Sequence, residues 1–320
     1  MNKIVYCVLF FILFNLRFSF SQDERLVPLP NNPVLINEWK RINNLSEMES
    51  TSERMLFAIN DTLLLPFIDD FSLPGMFPRS DLWVDSTVFI NTDFPRHPPT
   101  IGVATFDGLN KFGNPYNNVS VSSNWCDYLT SKPINTYDDG QGNQYNPAVG
   151  LFFSFFYEQT GYGEIPESSD HLVLQFLDST GVWHDTINKT GVAPGPLDSA
   201  FTRVQITITN GIYFYNGFRF RFRNYGSQNG NIDHWHIDYV TLKAPPNFPD
   251  INDVAYINPG KSLLNDLTAM PYSHYKNGNI TPPALMLNSV NYTMFNNSSS
   301  LAKICRFVDQ VYDPAGVEIF

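Results

Sequence analysis

The sequence has little cysteine. Three cysteines occur in 320 residues, and Cys7 lies within an apolar N-terminal run. The remaining two are too few for a disulfide framework, and no Cys or His lies near them at the spacing of a structural zinc site. We expect Cys126 and Cys305 to be two buried thiols, with one bridge between them as the alternative.

Basic residues are also scarce. The 20 Lys and Arg residues stand against 31 Asp and Glu, which gives a net charge of −11. Surfaces for nucleic acid or anionic lipid need clustered Lys and Arg, so this balance excludes both partners. An acidic chain is compatible with calcium, because carboxylate and carbonyl oxygens are its ligands.

Long apolar runs are absent apart from the one at the N-terminus. Lys3 precedes IVYCVLFFILFNL, and Ser19 and Ser21 precede a cleavage site before Gln22. These are the parts of a secretory signal. We therefore predict a signal peptide at 1–21, export, and a mature chain without a transmembrane segment, with a retained signal anchor as the alternative.

Aromatic residues are abundant, at 15% of the chain. Eight short runs with a period of two follow one another without a helix between them, each bounded by Gly, Pro, Asn or Asp. They predict an all-β jelly-roll sandwich over 61–242. In the run FRFRFR we expect Phe218, Phe220 and Phe222 to face the core and the alternating Arg to face outward.

Three segments flank this predicted domain. Residues 22–60 read as an N-terminal leader with one or two helices, which packs on the sandwich or reaches a partner. The Pro-rich stretch 243–252 predicts a linker, because Pro breaks sheet pairing. Residues 253–320 predict an incomplete immunoglobulin-like β module, since about 70 residues fall short of the roughly 100 that such a sandwich needs. We expect the chain to be truncated.

The run DHWHIDYV predicts the strand that closes the sandwich, preceded by SQNGN as a hairpin loop. On a strand, His234, His236 and Asp238 share one face, and a His-x-His pair is able to bind zinc or iron. No other His-rich strand supplies a third ligand, so we favour core packing by Trp235 and Ile237 on the opposite face.

Calcium is the metal that the sequence favours. FIDD opens the domain and HIDYV closes it, and the first and last strands of jelly rolls commonly lie side by side. Asp69 or Asp70 would then meet Asp238, and backbone carbonyls would complete an oxygen cage. We predict one structural calcium ion there, with solvated carboxylates as the alternative.

Two surface features suggest ligand contact. The Arg row on one sheet face, Arg219, Arg221 and Arg223, suits carboxylates or sulfated sugars. The favoured interpretation is pairing with Asp and Glu of adjacent strands, together with protection against stray sheet pairing. A binding module would also expose aromatic side chains. Our candidates for that role are Trp125, Trp183 and Tyr157, although core packing is the favoured interpretation for all three.

An enzyme would use the loop EQTGYGEIPESSD. Its carboxylates Glu164, Glu167 and Asp170, together with His236, would act on polysaccharide. Catalysis needs rigidly held groups, and a Gly/Pro-rich loop is expected to be flexible. The chain has no GxSxG, HExxH or phosphate-loop motif. We therefore predict no catalytic residue.

One tripeptide is over-represented. Asp followed by Ser or Thr and then an apolar residue or Thr resembles the O-glycosylation signal of Bacteroidota, although Asp-Ser/Thr is also common turn chemistry. The nominated acceptors are Thr62, Ser86, Ser179, Thr186 and Ser199.

Longer stretches carry a family resemblance. LPFIDDFS, LFFSFFYEQTGYGEIPESSDHLVLQF, FRFRNYGSQNGNIDHWHIDYVTL and SLLNDLTAMPYSHY resemble a domain of large secreted Bacteroidota proteins, related to MAM and concanavalin-like jelly rolls. The resemblance covers most of residues 60–275. It implies a cation held by Asp69 or Asp70 with Asp238, and association with the type IX secretion system.

These observations predict an exported, non-enzymatic β-sandwich module of a cell-surface or secreted envelope protein. Its partners would be surface glycans or other envelope and secretion-system proteins, in adhesion, glycan contact or assembly. Two alternatives remain: a periplasmic accessory or plug subunit of an outer-membrane secretion or motility machine, and a polysaccharide-acting enzyme that uses the loop carboxylates.

Overall fold

In a computed structural model of the protein, the described residues are 30–46, 62–117, 123–192, 200–246, 253–258, 262–264, 289–298 and 302–306, with single positions 251, 260, 271, 287 and 317. The predicted signal peptide (1–21) lies outside them. The elements in chain order are α1 (Pro33–Ser46), β1 (Phe67–Asp69), β2 (Phe89–Asn91), β3 (Val103–Phe106), β4 (Ser123–Thr130), β5 (Ile134–Asn135), β6 (Leu151–Gln159), β7 (His171–Leu177), β8 (Trp183–Thr190), β9 (Thr202–Ile208), a 3₁₀ turn (Gly211–Tyr213), β10 (Asn216–Phe218), β11 (Phe220–Ser227), β12 (Trp235–Lys243), β13 (Val254–Tyr256) and β14 (Met294–Asn296).

Two antiparallel sheets form a sandwich. The first sheet has the order β2-β3-β12-β6-β9, with β1 also paired to β12, and the second has the order β4-β11-β7-β8. Among the eight strands β3, β4, β6, β7, β8, β9, β11 and β12, successive strands alternate between the sheets, except that β7 and β8 are neighbours. This is jelly-roll connectivity. The predicted all-β jelly roll is confirmed.

The core between the sheets is built from aromatic rings. Phe153 and Phe155 of β6 meet Phe220 and Phe222 of β11, with ring centroids 4.7 Å apart for Phe153–Phe220 and 4.9 Å apart for Phe155–Phe222. Phe218, Phe220 and Phe222 are each 0% exposed, while the intervening Arg side chains lie on the outer face. The prediction from the FRFRFR alternation is confirmed, and edge-to-face rings at these distances stabilise the core beyond their buried area.

Strand β12 is the centre of the first sheet, between β6 on one side and β3 and β1 on the other. Trp235 and Ile237 belong to the core, as predicted. At Tyr239 the backbone has a φ of 49° and the register with β6 shifts, which marks a β-bulge. Beyond the bulge Val240 and Leu242 face the core, so the alternation predicted for this strand fails after Asp238.

The segment between β11 and β12 is not a hairpin loop. β11 lies in the second sheet and β12 in the first, so residues 228–234 cross from one sheet to the other. The hairpin prediction was wrong because Gly and Asn between two strands indicate a turn without saying which sheet the next strand joins.

The helix α1 packs on the sandwich. Asn32 caps its N-terminus by accepting a hydrogen bond from the backbone N–H of Leu35, whose side chain is buried. The Trp39 ring packs against Phe77 and Phe112 in sandwich loops, with centroids 5.4 and 5.0 Å away. The predicted packing of the leader on the first domain is therefore present in this helix. No helix among the described residues is long and apolar enough to cross a membrane.

Beyond the sandwich, β13 pairs with β14 in a two-stranded sheet. Asn297 links this region to the sandwich, because its side-chain N–H donates to the Pro99 carbonyl at 3.0 Å. Most of the residues 253–320, and residues 247–250 and 252 of the predicted linker, lie outside the described residues. The incomplete immunoglobulin-like module thus stays a prediction.

Candidate functional site

The first and last strands of the sandwich lie side by side, as the calcium hypothesis requires. β1 pairs antiparallel with β12, and Asp69 lies opposite Val240. Asp69 and Asp238 are buried, and Asp70 is half-buried. The Thr100 hydroxyl lies 2.8 Å from both the Asp70 carbonyl oxygen and Asp238 Oδ1, so it connects the two ends of the domain.

Protein donors engage these carboxylates. Asp69 accepts hydrogen bonds from a backbone N–H and from Trp83 Nε1 at 2.6 Å. Asp238 accepts from the backbone N–H groups of Thr100 and Tyr239. Burial raises the pKa of both Asp69 and Asp238. The sequence therefore predicted correctly that the first and last strands of the sandwich meet at these residues. A calcium ion between them stays a prediction.

His234 and His236 are buried with their rings stacked, centroids 6.2 Å apart. His234 Nδ1 accepts from the Glu164 backbone N–H at 2.9 Å, so its protonated Nε2 donates to Asn231 Oδ1 at 2.8 Å. Burial lowers the pKa of His234 to about 4, which keeps the ring neutral near pH 7.

His236 is held in the same tautomer. Its Nε2 donates to the Thr160 carbonyl at 3.2 Å, so its Nδ1 accepts from the Thr105 hydroxyl at 2.9 Å. Burial is also the main cause that lowers its pKa, to about 3. Both lone pairs of the His pair therefore accept protein hydrogen bonds, which suits the packing role over zinc or iron ligation.

The loop between β6 and β7 is packed against β12. The Thr160 N–H donates to the His234 carbonyl at 2.9 Å, and the His234 N–H donates to the Glu164 carbonyl at 3.0 Å. A Cβ on Gly163 would lie 2.3 Å from His234 ring atoms. The expectation of a flexible loop was wrong, because its glycines permit close approach to the His pair.

Three carboxylates converge beside this loop. Glu167 and Asp170 come from the loop and Asp233 from the segment between β11 and β12, with one oxygen of each within 4.8 Å of the others. Asp170 and Asp233 are 1% and 2% exposed, whereas Glu167 is exposed. Burial is the main cause that raises the pKa of Asp170 to about 6 and that of Asp233 to about 8, and nearby carboxyls add to it. This group, the acidic triad, is able to hold a metal ion.

The enzyme hypothesis placed Glu164, Glu167 or Asp170 with His236. Glu167 and Asp170 do converge. Glu164 instead accepts the Asp233 backbone N–H at 3.1 Å, and His236 is engaged with Thr105 and Thr160. Asp170 is almost inaccessible to solvent, and a polysaccharide chain cannot reach a carboxyl that is closed off in this way. The proposed constellation is therefore not assembled.

The outer face of the second sheet carries guanidinium groups stacked on aromatic rings. Arg223 Cζ lies 3.4 Å from the Trp125 ring centroid, and Arg221 Cζ lies 4.2 Å from that of Trp183. Tyr225 packs edge-to-face on Trp125 at 5.3 Å. We call this surface the Arg–aromatic face; its members are Trp125, Tyr128, Trp183, Arg221, Arg223 and Tyr225, all half-buried.

The favoured interpretation of the Arg row, pairing with acids on adjacent strands, does not hold. None of Arg219, Arg221 and Arg223 forms an ion pair with a residue that the structure describes. Arg221 Nε donates to the neutral Gln175 side chain at 2.6 Å. Trp125 and Trp183 lie on this outer face and not in the core, whereas Tyr157 packs against the core as expected.

The nominated glycosylation residues differ in exposure. Ser179 is exposed in the turn between β7 and β8, where the preceding Asp178 accepts backbone N–H groups in ordinary turn chemistry. Thr62, Ser86 and Thr186 are half-buried. Ser199 lies outside the described residues. O-glycosylation at these positions stays a prediction.

Cys126 and Cys305, the two cysteines among the described residues, are both free. Cys126 is buried, as predicted, and burial raises the pKa of its thiol. Cys305 is exposed, so the expectation of a buried thiol was wrong there.

No protein-family model matches the chain, and no curated protein matches it. Among solved structures, the K1 cleaved adhesin domain of Lys-gingipain from Porphyromonas gingivalis W83 is 11% identical with a TM-score of 0.34, over 56% of this chain and 98% of that chain. CBM27-1 from Caldicellulosiruptor saccharolyticus, in complex with mannohexaose, is 12% identical with a TM-score of 0.31, over 56% and 96%. The CBM22-1 xylan-binding domain of Paenibacillus barcinonensis Xyn10C is 8% identical with a TM-score of 0.30, over 58% and 97%. Similarity this distant carries no argument about function, and the fold assignment rests on strand pairing.

Proposed function

We propose that this protein is an exported, non-catalytic β-sandwich module that contacts anionic glycans through the Arg–aromatic face. The observation that carries the proposal is the pair of stacks, Arg223 on Trp125 and Arg221 on Trp183. Adhesion or assembly of envelope proteins on such glycans is the role that follows from it.

The geometry suits sugars with acidic groups. Arg223 Cζ lies 3.4 Å from the Trp125 ring centroid, a separation typical of a stacked guanidinium. Stacking uses the face of a guanidinium and leaves the N–H groups in its plane able to donate. A carboxylate or sulfate is able to accept two such hydrogen bonds at once. The nearby Trp and Tyr rings offer apolar surface to the C–H face of a pyranose ring.

Local charge supports the same ligand class. The chain as a whole carries a net charge of −11, yet Arg221 and Arg223 have no ion-pair partner among the described residues. Asp85 and Asp185 are near enough to Arg221 to act on it electrostatically, and its pKa is lowered mainly by burial. Two cations that lack an ion pair within the described part of an acidic protein favour an anionic ligand over a neutral one.

The proposal also covers the location of the protein, its link to a secretion system and a structural ion. The N-terminal pattern supports secretion to the cell surface or medium, with the periplasm as the alternative, and the resemblance to secreted Bacteroidota jelly rolls supports a link to type IX secretion. A structural calcium ion between Asp69 or Asp70 and Asp238 belongs to the same proposal, supported by the pairing of β1 with β12.

Isothermal titration of the full chain with polygalacturonate and a sulfated galactan, against neutral mannan and xylan, tests the function. We expect binding of the anionic polymers that weakens with salt, and no release of reducing ends. Arg223→Gln and Arg221→Gln should each weaken binding at least about tenfold, as expected for losing one charge-assisted hydrogen bond.

Arg79→Gln is the matched control, because Arg79 is partly exposed elsewhere and pairs with Asp81. It should leave glycan affinity unchanged, and melting curves should show all three variants folded. No binding of either anionic polymer at millimolar saccharide, or an equal loss in Arg79→Gln, would refute the proposal.

A further inference from the structure

Two connections between the sheets meet at one end of the sandwich. The segment from β6 to β7 leaves the first sheet for the second, and the segment from β11 to β12 returns. They run together because Gln159, at the end of β6, pairs with Trp235, and His171, at the start of β7, pairs with Tyr225. The acidic triad lies where these connections meet.

The spacing of the triad suits one ion. Calcium–oxygen distances are about 2.4 Å, so two oxygens on one calcium are at most about 4.8 Å apart. Glu167, Asp170 and Asp233 each place an oxygen within 4.8 Å of the others. Asp170 and Asp233 form a buried floor, and the exposed Glu167 leaves access from solvent.

One buried oxygen in the triad has no partner. Asp170 Oδ2 accepts the Glu167 backbone N–H at 2.7 Å, but Asp170 Oδ1 is buried without a hydrogen bond, on a side chain that is 1% exposed. Buried polar atoms are normally satisfied, since an unpartnered one costs free energy. No Lys, Arg or His in the described part of the chain forms an ion pair with the triad.

We propose that the acidic triad binds a calcium ion that ties the two connections together. Three carboxylates without His or Cys form a hard, all-oxygen donor set, which favours calcium over zinc or copper. Calcium accepts six to eight oxygens in irregular geometry, so water completes the shell on the Glu167 side. The ion supplies the missing partner of Asp170 Oδ1 and offsets three negative charges.

This site is separate from the one predicted at Asp69, Asp70 and Asp238. There, both carboxylate oxygens of Asp69 and of Asp238 accept protein hydrogen bonds. In the triad, by contrast, Asp170 Oδ1 accepts no hydrogen bond. The first site lies on the paired strands β1 and β12, and the triad lies on the two connections, so variants distinguish them.

The test uses the full chain stripped with EDTA, titrated with CaCl₂ and with MgCl₂ by calorimetry and melted with and without each salt. We expect one calcium per chain from the triad and a higher Tm in calcium, with magnesium at least about tenfold weaker because it demands near-octahedral geometry. Glu167→Gln, at an exposed position, should weaken calcium binding at least about tenfold while the Tm without calcium stays unchanged.

Asp170→Asn gives a second signature. This variant replaces a buried carboxylate ligand and should abolish the increase in Tm with calcium. Asp139→Asn is the control, because Asp139 lies in a separate turn where its side chain accepts from Asn143, and this variant should keep the calcium affinity of the triad. The proposal is overturned if the stripped chain shows neither heat nor Tm shift up to about 10 mM calcium, a range that covers weak extracellular sites. It is equally overturned if calcium binding survives Glu167→Gln but is lost in Asp70→Asn. If Asp170→Asn does not fold, Glu167→Gln decides.

Discussion

Asp107 and Asp127 are buried side by side, where β3 ends beside β4. The Asp107 N–H donates to Asp127 Oδ2 at 2.9 Å, and the Tyr116 hydroxyl donates to Asp127 Oδ1 at 2.8 Å. Burial raises the pKa of Asp107 to about 7 and that of Asp127 well above its usual range. A group that takes up its proton more tightly when folded makes stability depend on pH.

Asp107→Asn should therefore change the pH dependence of stability. An unfolded Asp releases its proton near pH 4, so between about pH 4 and 7 the folded protein binds more protons and its free energy of unfolding falls as pH rises. Asn cannot ionise. The variant should gain ~1 kcal/mol or more relative to the wild type between pH 5 and pH 8, measured by urea unfolding at both values.

Asp139→Asn is the control for that experiment. Asp139 is half-buried, and its hydrogen bond from the Asn143 side chain lowers its pKa, so it stays ionised across this pH range in both folded and unfolded chains. Its stability difference from the wild type should be the same at pH 5 and pH 8. A pH-independent difference for Asp107→Asn as well would show that Asp107 does not titrate in this range.

At the scale of secondary-structure elements, strand β11 could be predicted from the sequence and strand β4 could not. In β11 every second residue is buried, namely Phe220, Phe222, Asn224 and Gly226, so the period of two is unbroken. Opposite it, the register with β4 shifts between Arg223 and Tyr225, so that Trp125 and Tyr128, three residues apart, share the outer face. A bulge breaks the alternation on which strand prediction depends. The sequence therefore did not predict β4, and without β4 it did not predict the Arg–aromatic face.

The acidic triad was missed for a related reason. Glu167 and Asp170 stood in the sequence among Gly and Pro, which indicate an exposed turn. Asp233 belonged to a segment interpreted as part of a hairpin. Only the crossing of β11 to β12 between sheets brings Asp233 to the first loop, and residue periodicity carries no information on such crossings.

Gly161→Ala tests how tightly that loop is packed. Gly161 has a φ of +55°, and a Cβ there would lie 2.2 Å from the Phe94 carbonyl oxygen and 2.6 Å from His236 Nε2. Gly181 also has a positive φ, +86°, but a Cβ there meets no atom within 4 Å. Both variants incur backbone strain of ~1–2 kcal/mol; Gly161→Ala should be destabilised by at least ~1 kcal/mol more, because the clash is added. If chemical denaturation shows equal losses of stability for the two variants, the loop around Gly161 moves to accommodate the added Cβ and is not tightly packed.

At the scale of the whole molecule, the main hydrophobic cluster is confined to one stretch of the chain. Its buried members run from Phe67 to Ala244, all within or beside the jelly roll. The helix α1 adds Leu35 and Trp39 from the N-terminal side. On the C-terminal side, the β13–β14 pair connects through the hydrogen bond from Asn297 to Pro99, which is worth ~1 kcal/mol.

This distribution predicts that residues 30–252 fold without the remainder of the chain. Because the fragment keeps the whole cluster, its thermal unfolding should be one cooperative transition with a Tm within a few degrees of that of the full chain, followed by near-ultraviolet circular dichroism. A fragment that ends at residue 232 is the control: it lacks β12, the central strand of the first sheet, and should show no cooperative transition. If residues 30–252 also melted without cooperativity, the region beyond 252 would have to be part of the same folding unit, and the predicted division into a jelly roll and a second module would be wrong.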